Sequence, residues 1–343
     1  MPLAHADVRV GVLGRALRRS GLALALALAL ALVAAGCHVP GTSNSPAGGG
    51  ALTVAVVPGV ATAPLMVAVD DGLFRQQGLT VTVKQFSSDA QVYAALTNGS
   101  VDVAAGDYTS FFNGISLGQK LTLVMDGYDA ATGTMQVLTL PGSPITSPQA
   151  LANRTVGTTE PAVTCNPSCQ QGFPINIDTL AAQYVLQSDN VSPGSVNWKG
   201  FPENQLLSAL KNHRVPAILV TDPLIVQAET QLGAVEVFDA CSGVTANLPL
   251  AGYFSTTAFA SQHGAALDAF RTALTTAQSD AAMRTAVQSV LRGENMTTQE
   301  SALVNIGQYP TSVNVGQIQR VAALMYTSGM ITSSISVRSL LLK

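Results

Sequence analysis

Residues 52–107 switch between two hydrophobic periods in a way that few supersecondary structures satisfy. Leu52 to Val57 is an apolar run stopped by Pro58-Gly59, as expected of a strand buried on both faces. Pro64 then opens a helix with Leu65, Met66, Val69, Leu73 and Phe74 on one side, closed near Gly72 and Gly78. Leu79, Val81 and Val83 alternate with Thr80, Thr82 and Lys84, the period of a strand. Ser87, Ser88 and Asp89 are cap residues for a helix carrying Val92, Tyr93 and Leu96, which Asn98-Gly99 ends. Val101 to Ala105 makes a third strand. Strands joined by such short helices require right-handed crossovers and an open parallel sheet. Ligands of such sheets sit at the carboxyl ends of the strands. Here that edge holds Pro58 to Pro64, with Thr62 among them, Ser87 to Asp89, and Gly106 to Thr109.

The wording of the stretch is also specific. "APLMVAVDDGLFRQQGLTVTVKQF" followed by "QVYAALTNGSVDVAAGD" resembles the nitrate/sulfonate/taurine and thiamine-precursor substrate-binding proteins of ABC importers. That family carries P-x-x-x-A-x-x-x-G-x-F-x-x-x-G-L and then A-L-x-x-G-x-V-D. Pro64, Ala68, Gly72, Phe74, Gly78, Leu79, Ala95, Leu96, Gly99, Val101 and Asp102 fill those places. The resemblance implies a two-lobed α/β fold of the periplasmic-binding-protein type II. Each lobe is then a mainly parallel sheet flanked by helices, with the ligand cleft between lobes. It also implies capture of a small organic solute by hinge closure and delivery to an ABC permease, with no cofactor and no catalysis. A monomer is expected.

The N-terminus reads as a targeting segment. Arg9, Arg15, Arg18 and Arg19 outweigh Asp7, and Leu22 to Ala35 is a run of fourteen apolar residues. Such a run is short for a membrane span, which needs about twenty residues, and suits a signal-peptide core. It ends in Ala34-Ala35-Gly36-Cys37, which resembles a bacterial lipoprotein signal, with Ala34 where Leu is usual and Cys37 as the lipidated residue. Arg18-Arg19 points towards twin-arginine export, but Gly21 stands where that route has a bulky apolar residue. The expected organisation is a signal over 1–36 and a Gly/Ser/Pro tether over 37–50. The first part of lobe one follows over 51–143, then lobe two over 144–239. Residues 240–343 make the return to lobe one and the C-terminal helices. Met135 to Leu140 is read as a strand leaving lobe one, with Pro141 to Pro144 as the linker. Protein outside the cytoplasm, anchored by lipid at the membrane's outer face, is the expected location.

Composition excludes one class of partner. The net charge is −3, only 11% of residues are charged, and no basic cluster occurs outside the N-terminus, which argues against nucleic acid. Catalytic signatures are also missing: there is no H-E-x-x-H, G-x-S-x-G, Walker loop or dinucleotide fingerprint, and His5, His38, His213 and His263 are scattered. An enzyme on the same fold, of pyrimidine-precursor synthase or dehydratase type, and a non-transport sensor or scaffold are the alternatives. No metal site is expected. Cys165, Cys169 and Cys241 are candidates for a disulfide, either a small Cys165–Cys169 ring or a bridge to Cys241.

Loops at the carboxyl ends of strands collect the candidate ligand-binding residues. Beside Thr62 these are Ser87, Ser88, Asp89, Asp107, Tyr108, Thr109, Tyr128, Thr158, Thr159, Glu160, Phe201 and Asp222, with Asp126 and Glu203 in the same loops. The set is rich in acids and aromatics and lacks Lys and Arg. Helix N-termini with Ser/Thr hydroxyls can bind nitrate or sulfonate. Carboxylates in a desolvated cleft oppose an anion, and acids with aromatics favour a cationic or neutral nitrogen compound. Each acid also has a capping reading: Asp89 and Asp107 begin helices whose free N–H groups they can satisfy. Asp102 and Asp178 read as structural.

Overall fold

The computed structural model describes residues 50–160, 175–192, 194–281, 283–293 and 296–342. The expected signal segment, Cys37 with nearly all of its tether, and both Cys165 and Cys169 lie outside the described residues. Ten strands among the described residues form two five-stranded sheets.

The first sheet takes β1 (Gly50–Val56), β2 (Leu79–Gln85), β3 (Val103–Asp107), β4 (Leu121–Asp129) and β10 (Pro249–Thr256), in the order β2-β1-β3-β10-β4. Leu52, Val54 and Val56 of β1 are buried, and β1 pairs in parallel with β2 and β3. The second sheet takes β5 (Met135–Thr139), β6 (Thr155–Thr159), β7 (Asn197–Phe201), β8 (Ala217–Thr221) and β9 (Val235–Asp239), in the order β7-β6-β8-β5-β9. Each sheet has a single antiparallel strand: β10 in the first and β5 in the second. Those are the two strands that enter directly from the other lobe. The chain crosses between lobes at 130–134 and again at 240–248.

That placement corrects one expected boundary. The strand starting at Met135 does not leave lobe one; it pairs with β8 and β9 inside the second sheet. All five of its residues are buried, so it is a central strand of lobe two, and the Pro141-Gly142 turn is the loop that follows it. Lobe two thus begins just after Asp129 rather than at residue 144. β4 likewise runs on through Asp126, Gly127 and Tyr128, which the sequence reading placed in a loop.

Helices cover both sheets. Lobe one carries α1 (Ala63–Asp70), α2 (Leu73–Gln76), α3 (Asp89–Thr97) and α4 (Tyr108–Ser116). Lobe two carries α5 (Ile177–Ser188), α6 (Glu203–Lys211) and α7 (Leu224–Leu232). The C-terminal part adds α8 (Thr257–Gln262), α9 (Gly264–Ala281), α10 (Arg284–Gly293), α11 (Thr298–Leu303) and α12 (Val315–Thr327). The Leu267, Phe270 and Leu274 face of α9 is buried and packs on lobe one, with the Phe270 ring stacked on Phe74 at 5.2 Å. In α10, Val287 and Leu291 are buried, while Met283 lies just before the helix and is 61% exposed.

The C-terminal part also ties the lobes together near the crossovers. In α12, Ile318, Val321 and Met325 are buried, and Tyr184 of α5 donates to the Leu324 carbonyl at 3.1 Å. Arg320 donates to the Ala246 carbonyl, in the second crossover, at 2.8 Å. Residues 305–309 form a strap. The Asn305 N–H donates to Asp222 of lobe two at 2.7 Å, and the Gly307 N–H donates to the Tyr128 hydroxyl at 2.7 Å. Gln308 bridges Asp129, and the Tyr309 hydroxyl donates to the Val60 carbonyl at 2.7 Å. Among the described residues, no helix is long and apolar enough to cross a membrane.

Candidate functional site: an acidic cleft between two lobes

A cleft of about 210 Å³ lies where the carboxyl ends of the parallel strands of both sheets meet. Lobe one contributes the loop after β1 (Pro58 to Thr62), Asp89, and Gly106-Asp107 at the end of β3. Lobe two contributes Thr159-Glu160 after β6, Asn176 to Asp178, Glu203, and Thr221 to Leu224 after β8. Tyr128, Thr134, Leu250 and Asn305 close the hinge side.

Among the described residues six carboxylates line this space, Asp89, Asp107, Glu160, Asp178, Glu203 and Asp222, and no Lys, Arg or His does. They differ in what holds them. Asp107 caps α4: it accepts the Ser110 N–H at 2.8 Å and the hydroxyls of Thr109 and Ser110. Asp222 accepts the Val226 N–H at 3.3 Å with one oxygen and the Asn305 N–H with the other. The carboxylates of Asp89, Asp178 and Glu203 make no hydrogen bond or ion pair among the described residues. Each sits in the first turn of its helix, α3, α5 or α6, where the helix dipole favours negative charge.

Placement in a concave wall works against that charge. Burial raises the Asp178 carboxyl to about 7, and the nearby charges of Asp107 and Glu203 add to the rise. Asp89 shifts up for the same reasons, burial first and then Asp107, Asp178 and Glu203. Burial also raises Glu203. Asp89 and Glu203 still reach water through the cleft mouth, so protein encloses these groups without drying them. Asp222 is pushed up to about 6 by burial, against the opposing pull of its backbone donors.

Seven of the expected ligand-binding residues do line the cleft: Thr62, Asp89, Asp107, Tyr128, Thr159, Glu160 and Asp222. The other six do not, each for a packing reason. Ser88 caps α3 by accepting the Gln91 N–H, and Ser87 is turned to the Gln91 side chain. Tyr108 begins α4 on its core side, is 0% exposed, and donates to Asp126 at 2.7 Å. Thr109 is buried and spent on Asp107. Thr158 is buried beneath Asn176, whose side-chain amide donates to it at 3.4 Å. Phe201 is 3% exposed, and its ring carries Lys199 and Arg214 at 5.3 and 5.1 Å. Asp126 is also below the cleft, fully buried, with its carboxyl raised to about 6 by desolvation.

Sequence reasoning missed Asn176 and Asp178. Asn176 caps α5 and donates to the Thr159 carbonyl at 3.0 Å, which fixes the cleft wall of lobe two. The cap signal, an Asn three residues before a Thr, was present in the sequence. Cys241 is buried, has no disulfide partner among the described residues, and accepts from the Thr134 hydroxyl. His213 and His263 are exposed and outside the cleft.

Two sheets, two crossovers and a cleft at their common edge define a two-lobed, type II periplasmic-binding-protein fold. The chain belongs to the NMT1/THI5-like family, whose model matches residues 60–286. Solved structures agree on the fold. The alkanesulfonate-binding protein SsuA from Xanthomonas axonopodis pv. citri, bound to MOPS, superposes with a TM-score of 0.69 at 14% identity, covering 86% of this chain and 99% of that one. The ligand-binding component of an ABC-type import system from Staphylococcus aureus, with zinc bound, gives 0.68 at 14% identity, covering 85% and 96%. The periplasmic nitrate-binding protein NrtA from Synechocystis PCC 6803 gives 0.66 at 14% identity, covering 86% of each chain. No curated protein shows significant sequence similarity to the chain.

Proposed function

We propose that this protein is the extracytoplasmic solute-binding component of an ABC importer and that its solute is a small cationic nitrogen compound. The observation that carries the charge assignment is the trio Asp89, Asp178 and Glu203. Among the described residues they have no hydrogen-bond or ion-pair partner, they are drawn from both lobes, and no cationic side chain accompanies them in the cleft. A like charge placed about 4 Å from one such carboxylate is opposed by roughly 4 kcal/mol at an effective dielectric constant near 20. That is enough to make sulfonate or nitrate, the ligands of the two anion-binding relatives, poor cargo here. A cation between Asp89 of lobe one and Asp178 and Glu203 of lobe two is attracted to both walls, so its binding favours the closed arrangement.

Several features support binding without chemistry. Among the described residues no histidine or cysteine lines the cleft, and Tyr128 is engaged by the Gly307 N–H. Among the described residues no group of three or more potential metal ligands converges, which favours an organic cation over a metal ion. With the aromatic rings of Tyr108 and Phe201 packed away and the Tyr128 ring set against Tyr309, charge pairing is the main source of affinity. The N-terminal sequence supports export and anchoring through Cys37, with the 37–50 tether leaving the folded body free to meet its permease.

Native mass spectrometry of the gently purified protein tests this reading. The expected result is a co-purified organic cation lost on unfolding. A retained sulfonate, taurine or nitrate would contradict it.

A further inference from the structure

Glycines around the cleft fall into two groups. Gly127, Gly252 and Gly307 are required by packing. A Cβ on Gly127 would meet the Ala251 carbonyl at 3.0 Å, and one on Gly252 the Tyr108 hydroxyl at 2.9 Å. One on Gly307 would strike the Asp129 carbonyl at 2.2 Å. Gly59 and Gly106 are different. Both line the cleft, and a Cβ added to either meets no heavy atom of the described residues within 4 Å. Neither backbone needs glycine: Gly59 is extended at φ 166°, and Gly106 lies in β3 paired with Gly252, outside the left-handed region. Folding therefore explains glycine at 127, 252 and 307 but not at 59 and 106.

The two unexplained glycines lie at the carboxyl ends of adjacent parallel strands, Gly59 in the loop after β1 and Gly106 near the end of β3, in the part of the cleft lined by Asp89 and Asp107. Side-chain-free backbone at such a place lets another molecule approach the peptide plane closely. We propose that Gly59 and Gly106 form the floor of the solute subsite on lobe one. The bound cation lies against their Cα atoms with its charge turned towards Asp89, and the two glycines limit the size of solute that fits. This inference rests on the solute-binding reading and adds where the solute sits and which residues select it.

The test uses the full chain, with Gly59→Ala and Gly106→Ala each compared with wild type, and Gly264→Ala as a control. Gly264 also has open space at its Cβ but starts α9, away from the cleft. Ethylenediamine, putrescine, choline and 4-aminopyridine are the probes, measured by isothermal titration at pH 8 alongside thermal melting. The expected result is that at least one amine binds wild type and Gly264→Ala alike. Both cleft variants should melt with wild type yet bind that amine about ten- to a hundredfold more weakly, the penalty of one methyl group in a filled site. Unchanged affinity in both cleft variants overturns the floor and leaves the cation reading standing. No binding of any amine to wild type overturns that reading and the floor with it. A melting temperature clearly lowered in either cleft variant shows the space is needed by the fold, and also overturns the proposal.

Discussion

Two parts of the cleft use carboxylates in different ways. At the hinge end, Asp222 holds the strap through Asn305 and starts α7 through Val226, so both oxygens serve the fold. Elsewhere in the cleft, Asp89 of lobe one and Asp178 and Glu203 of lobe two are raised by enclosure in the cleft wall, and nearby acids add to the rise at Asp89 and Asp178. The same residue type is structural in one place and a standing electrostatic cost in the other. Under the proposed function, that cost is offset when a cation binds between the lobes. Hydrogen-bond partners, not composition, separate the two.

The largest expected effect is on binding. Asp89→Asn with Asp178→Asn should weaken an amine by at least about a hundredfold, since each charge-assisted contact is worth roughly 1.5–3 kcal/mol. Isothermal titration would read it, and an affinity within threefold of wild type would make these acids bystanders. Asp222→Ala should do the reverse. It leaves the buried-side Asn305 N–H without its acceptor and should cost about 1–3 kcal/mol of stability in denaturant melts. If it proved as stable as wild type, the strap would not be a latch.

The smallest effect is on the ligand-free protein and depends on pH. A carboxyl whose folded pKa is raised from 3.8 to about 7 binds its proton more tightly in the folded state. Its contribution is fully present below the unfolded value and is lost as pH rises through about 7. Asp178→Asn should therefore raise the melting temperature by a few degrees at pH 8 and by much less at pH 4. Equal shifts at both pH values would remove the charge explanation.

How much of this could be read from sequence follows the same division. The β–α–β rhythm of 52–107 and its family pattern were legible because strand and helix periods depend on local side-chain spacing. β5 was misassigned because Pro141-Gly142 signals a turn without saying which sheet precedes it. Tyr108 and Phe201 were misplaced because the rotational phase of a strand–helix junction is set by packing. Asp178 was passed over because an acid in the first turn of a helix reads as a cap, and only the folded cleft brings the carboxylates of Asp107 and Glu203 near it. The six-acid character of the cleft was nevertheless visible in outline, with Asp126 standing where Asp178 belongs.

The charge of the solute is the central claim, and paired probes address it most directly. Thermal-shift titrations at pH 8 would compare amines with sulfonates on the same carbon skeletons: aminoalkanes against alkanesulfonates, aminopyridines against pyridinesulfonates. The account predicts stabilisation by amine members alone, fading towards pH 5 as the cleft carboxylates take up protons. Stabilisation by a sulfonate member while its amine counterpart does nothing would contradict it.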